Sequence, residues 1–279
     1  MIKCKTSGDK HKPKTDKQEL AMSKYPKRTE YYTSFDTDFA GKNLKGKKLS
    51  KNYKYVRHGF LHSVWHFICY RCFATPLAFF HRVFIGHEKI IGKEKLRGFE
   101  HRGYFVYANH TQSASDAFLP SLAIFPKRGY IAVSPKNFSL PLLGKSLYYF
   151  GALPVPDGRQ ALRDFSFAIS ERISEGAAVV IYPEAHLWLY ATKLRPFGDA
   201  AFTYPVRCGA PSFTFTRVYK RHGRGYRTEL YIDGPFYPNT AQDARSARRE
   251  LCETVREQME KRCALSDVEI IRYERKPGA

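Results

Sequence analysis

Acidic residues are scarce in this chain: 26 Asp and Glu stand against 47 Lys and Arg, a formal net charge of +21 over 279 residues. That imbalance excludes an electrically neutral surface and demands an acidic partner, with anionic lipid and nucleic acid as the two candidates. Long hydrophobic runs are missing as well. Between Gly59 and Gly86 apolar residues are plentiful, yet no uninterrupted stretch reaches the roughly 18 to 20 residues of a spanning helix, and Pro76 breaks or kinks any continuous one. The cysteines (Cys4, Cys69, Cys72, Cys208, Cys252 and Cys263) lack the paired spacing of a zinc framework, and Cys69-Tyr-Arg-Cys72 is a lone CxxC without a second half. No secretory leader pattern is present, so reduced thiols in a cytosolic setting are the expectation. A glycine-rich nucleotide loop is absent: Gly41-Lys-Asn-Leu-Lys-Gly46 lacks both the Lys-Ser/Thr step and a preceding strand. Internal repeats, helix-turn-helix, zinc-finger and RNA-binding signatures are absent too, so no specific nucleic acid is expected as a partner.

Aromatic residues are abundant, with 21 Phe and 19 Tyr. Interleaved with Lys and Arg, they suit a membrane interface, where the ring body is apolar and its edge is wet. Four segments follow from composition. Residues 1–57 form a basic N-terminal segment with few aliphatic side chains, expected to be flexible or to act as a polybasic membrane tether. Residues 58–87 mix Phe60, Leu61, Trp65, Phe67, Phe79 and Phe84 with histidine and arginine, which predicts an amphipathic, aromatic helical segment lying at a membrane interface. Residues 88–272 alternate strand-like and helix-like patterns and predict a single α/β domain. Residues 273–279 form a tail, with fraying expected from about Arg272.

Within the domain, Tyr104–Tyr107, Tyr130–Val133, Ala178–Tyr182, Ser212–Val218 and Glu229–Ile232 read as strands. Ala178–Tyr182 has no polar alternation, as expected for a strand buried on both faces. Ala117–Ile124 reads as helical, and so does Gly158–Glu175, ended by Gly176. Thr240-Ala-Gln-Asp243 resembles a capping box opening a helix to about Arg262.

The chemistry-bearing residues lie where strands end. Tyr104–Tyr107 stops at Asn109-His110, and Asp116 follows at the start of a helical segment. A histidine at the carboxyl end of a strand, with a carboxylate near it, is a candidate general base held in one tautomer. Three further blocks follow in order: Gly151-Ala-Leu-Pro-Val-Pro-Asp-Gly-Arg159, Tyr182-Pro-Glu-Ala-His186 and Gly209-Ala-Pro211. His62, His66 and His81 have no carboxylate partners nearby in sequence, so no metal site is expected.

This order of blocks resembles the glycerolipid acyltransferase family, whose best-known members are 1-acylglycerol-3-phosphate acyltransferases. The resemblance covers roughly Ile90 to Phe215. It implies a mixed-sheet acyltransferase domain flanked by helices. It implies transfer of a fatty acyl group from acyl-CoA or acyl carrier protein to the hydroxyl of a lysophosphatidic acid-like acceptor in phospholipid biosynthesis, with no cofactor. His110 and Asp116 would be catalytic, and Arg159, Glu184 and Arg195 would bind substrate. The expected setting is the cytoplasmic face of the cell membrane, peripheral or monotopic, with an anionic membrane surface, a lysophospholipid-like acceptor and an acyl thioester as partners.

Two departures from the family pattern stand out. The family usually places four residues between histidine and aspartate; here Thr111 to Ser115 make five, and Ser115 occupies the usual acid position. In a continuous helix one extra residue turns the acid by about 100°, whereas a loop absorbs it. After Pro-Glu the family usually has Gly-Thr-Arg-Ser; here Ala185-His186-Leu187-Trp188 stand there, so Arg195 becomes the candidate for the missing cation. A phosphate-free acceptor such as an acylated amino acid therefore stays open, as does a non-catalytic basic protein that binds membrane or nucleic acid.

Overall fold

The computed structural model describes residues 25–39, 53–86, 88–113, 115–140, 144, 146–156 and 158–278, with the side chains of residues 85, 86 and 159 outside the description. Strand β1 (Arg28–Tyr32) comes first. A helical run follows: α1 (Phe60–Phe67), π-helical turns over Ile68–Ala74, α2 (Thr75–Phe80) and further π-helical turns over His81–Gly86. The domain then proceeds through β2 (Lys89–Ile91), β3 (Tyr104–Ala108), α3 (Ser115–Ala123), β4 (Gly129–Val133), β5 (Ala152–Pro154), α4 (Arg159–Ser174), β6 (Ala178–Ile181) and α5 (Thr203–Cys208). It ends with β7 (Ser212–His222), β8 (Gly225–Phe236), α6 (Ala244–Cys263) and β9 (Ile271–Arg275).

Seven strands form one sheet in the order β2-β8-β7-β3-β6-β4-β5. Every neighbouring pair is parallel except β7 with β8, so the sheet is mixed and the expected α/β class holds. Tyr104 to Ala108 are all buried because β3 is central. Phe105 and Tyr107 join the core packed on α4 and α6, while Tyr104, Val106 and Ala108 join the core packed on α3. Two apolar faces on one strand explain its unbroken hydrophobic sequence. Gly176 ends the turn after α4 with φ 79°, and a Cβ there would meet the His101 carbonyl at 2.7 Å. A left-handed glycine cap was the sequence expectation.

Several expectations are corrected. The cap of α6 is Asp243, whose Oδ1 accepts from the N–H groups of Arg245 at 2.9 Å and Ser246 at 3.2 Å; Thr240 lies outside that helix. The chain does not fray from Arg272, because β9 pairs in parallel with β1 over Arg28↔Ile271 to Tyr32↔Arg275. Within the basic N-terminal segment, Arg28–Tyr32 form β1, while Lys10–Lys14 and Lys45–Lys48 lie outside the described residues. Aromatic packing holds this added ladder: Tyr273 stacks on Trp188 at 4.6 Å and meets Phe39 edge-on at 5.2 Å. Strands β2 and β5 are each three residues long, too short for periodicity to reveal.

Pro76 falls in the first turn of α2, directly after the π-helical turns over Ile68–Ala74. The helical run buries His66, Cys69, Tyr70 and Ala78 against the domain. Its other side leaves Phe60 80% and Leu61 81% exposed, with Phe67, Phe73, Phe79 and Phe84 more than half exposed. No helix among the described residues is long and apolar enough to cross a membrane.

Tyr273 joins the β1–β9 ladder to the domain through its ring contacts and a hydrogen bond to the Leu189 carbonyl at 2.8 Å. Tyr273→Ala is expected to cost about 2–3 kcal/mol in chemical denaturation, less than full loss of a core aromatic because this ring is half-buried.

Candidate active site

Asn109 and His110 leave the carboxyl end of β3. The Asn109 side chain continues the strand ladder by side chain, donating from Nδ2 to the Arg217 carbonyl at 2.9 Å and accepting the Arg217 N–H on Oδ1 at 2.8 Å. His110 is thereby fixed at the sheet edge. Its Nδ1 lies 2.7 Å from Asp116 Oδ2. The same oxygen accepts from the N–H groups of Thr111 at 3.0 Å and Gln112 at 2.9 Å. Asp116 sits in the first turn of α3, and the extra residue between histidine and aspartate falls in the loop before that helix. The insertion is absorbed there, and the carboxylate still reaches the ring.

Asp116 is buried, and its other oxygen is held by Arg217 Nη1. Burial pushes its pKa up, but the Arg217 guanidinium, the His110 hydrogen bond and the Gln112 N–H outweigh that and hold it below the usual carboxylate range. An ionised Asp116 makes Nδ1 the proton-bearing nitrogen, which leaves the lone pair on Nε2. The His110 side chain remains 23% exposed, so a substrate can meet that nitrogen. Tyr182 packs its ring 4.6 Å from the imidazole and donates its hydroxyl to the Asp116 carbonyl at 2.5 Å.

Sequence reasoning missed Arg217 and Glu88. Arg217 is 3% exposed in the middle of β7. Its Nη2 donates to Ser115 Oγ at 3.0 Å, and its Nε lies 3.2 Å from Glu88 Oε1, a charge contact without hydrogen-bond alignment. Burial lowers the pKa of Arg217, but Asp116 and Glu88 raise it further, so its charge is secure. Ser115 donates to Glu88 Oε1 at 2.6 Å. Ser115, at the family's usual acid position, thus binds the neighbouring acid rather than the histidine. The available signal was a cation inside the apolar run Ser212–Val218, since an unpaired charge is not left inside a core.

Glu184 receives the His110 N–H on Oε2 and the Arg195 N–H on Oε1, each at 2.8 Å. Arg195 Nη2 lies 3.3 Å from Glu184 Oε2 and also donates to the His186 carbonyl. The Arg195 guanidinium is buried and stacks over Trp188 at 5.0 Å, with Nε and Nη1 lacking hydrogen-bond partners. Both residues lie against the loop that carries His110. Ala185 has φ 62°, a left-handed conformation at the position where the resembled family carries glycine.

Arg159 opens α4 after β5, at the same carboxyl edge of the sheet and three strands from β3; its side chain lies outside the described residues. Gly209-Ala-Pro211 is not brought to His110. The Pro211 carbonyl accepts the Phe105 N–H at 2.9 Å, at the amino end of β3. A cavity of about 370 Å³ also lies at that far end, lined by Lys93, Leu96, Phe99, Tyr104, Phe125 and Lys127. Among the described residues no group of side chains could hold a metal ion.

Two outcomes follow from this geometry. Ala185→Gly is expected to raise stability by about 1 kcal/mol in denaturant titration, because glycine adopts that φ without strain. Asp116 contributes stability above the ordinary carboxylate pKa and loses it as pH falls through its depressed folded value. Asp116→Asn should therefore cost about 3 kcal/mol near neutral pH and much less in acid, read by urea unfolding across a pH series.

No protein-family model and no curated protein matches the chain. Among solved structures, the chain is similar to the 1-acyl-sn-glycerophosphate (LPA) acyltransferase PlsC from Thermotoga maritima, with a TM-score of 0.45 and 15% identity over 73% of this chain and 95% of that one. The chemistry of the site rests on this chain's own residues.

Proposed function

We propose that this protein is a membrane-surface O-acyltransferase. It moves a fatty acyl group from acyl-CoA or acyl carrier protein to the free hydroxyl of a lysophosphatidic acid-like acceptor, in phospholipid biosynthesis. One observation carries the reading: a partly exposed imidazole whose Nδ1 is held at 2.7 Å by a buried, ionised carboxylate.

His110 Nε2 takes the proton from the acceptor hydroxyl as its oxygen attacks the thioester carbonyl. The resulting tetrahedral species collapses, the C–S bond breaks, and the leaving thiolate recovers the proton from the imidazolium. Asp116 keeps the ring oriented and stabilises its charged form. Glu184 acts by holding the backbone of His110 and Arg195, and Arg195 acts by holding Glu184. Arg159, at the same sheet edge, is assigned to the acceptor phosphate, which its guanidinium fork matches.

A different acceptor is the second reading. His186-Leu-Trp188 supply no cation where the resembled family has a local arginine, and Arg195 is committed to Glu184. A panel of lysophosphatidic acid, other lysolipids and acylated amino acids separates the two by rate.

The exposed aromatic face of α1 and α2 is assigned to the membrane, supported by its apolar area and the chain's positive charge. We place the protein peripherally or monotopically on the cytoplasmic face, with the anionic lipid surface as its partner.

His110→Ala is expected to lower acyl transfer by about 10² to 10⁴ in kcat, and unchanged turnover would reject the assigned base. Replacing Phe60, Leu61 and Phe67 together with serine should weaken sedimentation with anionic phosphatidylglycerol vesicles by about tenfold or more while the fold persists, since these side chains are exposed.

A further inference from the structure

We infer that Glu88 sets the proton affinity of His110 by restoring the negative charge that Arg217 cancels on Asp116; this rests on the reading of His110 as the general base. Asp116 alone would favour an imidazolium strongly. Arg217, bound to the Asp116 carboxylate and equally buried, removes most of that advantage. A base whose counter-ion is already neutralised is a weak one.

Glu88 reverses this. It is 4% exposed, and its Oε1 is shared between Ser115 Oγ at 2.6 Å and Arg217 Nε at 3.2 Å. Its Oε2 is buried without a hydrogen-bond partner. Glu88, Arg217 and Asp116 together hold one net negative charge while His110 is neutral. The cluster becomes neutral once the ring accepts the hydroxyl proton. With Glu88, Arg217 and Asp116 all buried, that is the state of lower electrostatic cost. Glu88 touches no reacting atom and is a positioning residue in this sense.

The other groups facing His110 leave the balance to this trio. Glu184, on the His110 N–H, is offset by Arg195 at 3.3 Å. The Tyr182 phenol is held well above its ordinary pKa by burial and by Asp116, and that of Tyr219 is raised by burial; both are neutral. Cys263, near Asn109 on the α6 side, is pushed up to about 12 by burial and is neutral as well. Glu88 is anchored from the helical run, where Arg82 Nε donates to its carbonyl at 3.1 Å.

The test is an NMR titration of the His110 ring in the full chain, as wild type, Glu88→Gln, Arg217→Met and the double variant. Glu88→Gln keeps an acceptor for Ser115 but removes the charge; its titration midpoint should fall by about one pH unit. Arg217→Met should raise the midpoint, and the double variant, with the wild-type net charge, should return close to the original value. In turnover, the acid limb of kcat/KM should move down in Glu88→Gln with a plateau several-fold lower, as for a weaker base. A midpoint unmoved by Glu88→Gln, or single variants shifting in the same direction, would overturn the inference. Opposite shifts identify a charge effect, because damage to packing would not reverse sign, and either single variant alone decides by its sign if the other does not fold. The titration needs no substrate. Opposite shifts in a protein without acyl transfer would sink the functional reading and leave the charge relay standing.

Discussion

A buried guanidinium is the constraint around which this molecule is organised. Arg217 stands in the middle of a core strand, where an unpaired charge would cost several kcal/mol. It is tolerated because two carboxylates from distant parts of the sequence, Glu88 and Asp116, converge on it. Those contacts join the segment before β2, the first turn of α3 and the centre of β7. Asn109 adds a second tie by pairing with the Arg217 backbone. The loop that presents His110 is therefore held by charge at one end and by ladder-like hydrogen bonds at the other. Glu184 closes the third side through the His110 N–H. The imidazole is positioned by a shell that is almost wholly buried, which is how a loop residue acquires the precision of one on a strand.

The parallel strands place this shell at one edge of the molecule. β3, β4, β5 and β6 run in the same direction, so the segments that follow them, including His110, Arg159 and Glu184, gather at the carboxyl ends. Open α/β sheets bind ligands there because the chain reverses into loops and helix starts at that edge. Helix α3, which carries Asp116, is also the helix against which α2 packs. The aromatic helical run and the acid–histidine pair thus share one structural layer.

Much of this was legible in the sequence. The strand Tyr104–Ala108 announced itself as an apolar run, and His110 and Asp116 stood out because a polar pair follows it at once. The spacing between them could not be judged from sequence, since a helix and a loop treat one extra residue differently. Here the residue falls in the loop. The β1–β9 ladder was not legible, because residues 28–32 and 271–275 are polar, short and some 240 positions apart. Glu184 and Arg195 were identifiable separately, each as a candidate substrate-binding residue. Their ion pair, and the backbone clamp it supports, depend on a chain reversal after β6 that no local pattern announces.

The amino-acid sequence alone determined the α/β alternation, the buried central strand, the aromatic and basic character of residues 58–87 and the candidacy of His110. These follow from periodicity and residue type, which act over a few neighbours. Only the tertiary structure decided that the loop brings Asp116 to the His110 ring, which cation serves that acid, and that Glu88 lies against the same cation. Those choices are settled by long-range strand order, because desolvated charges must find partners wherever the fold brings them, however far apart they lie along the chain.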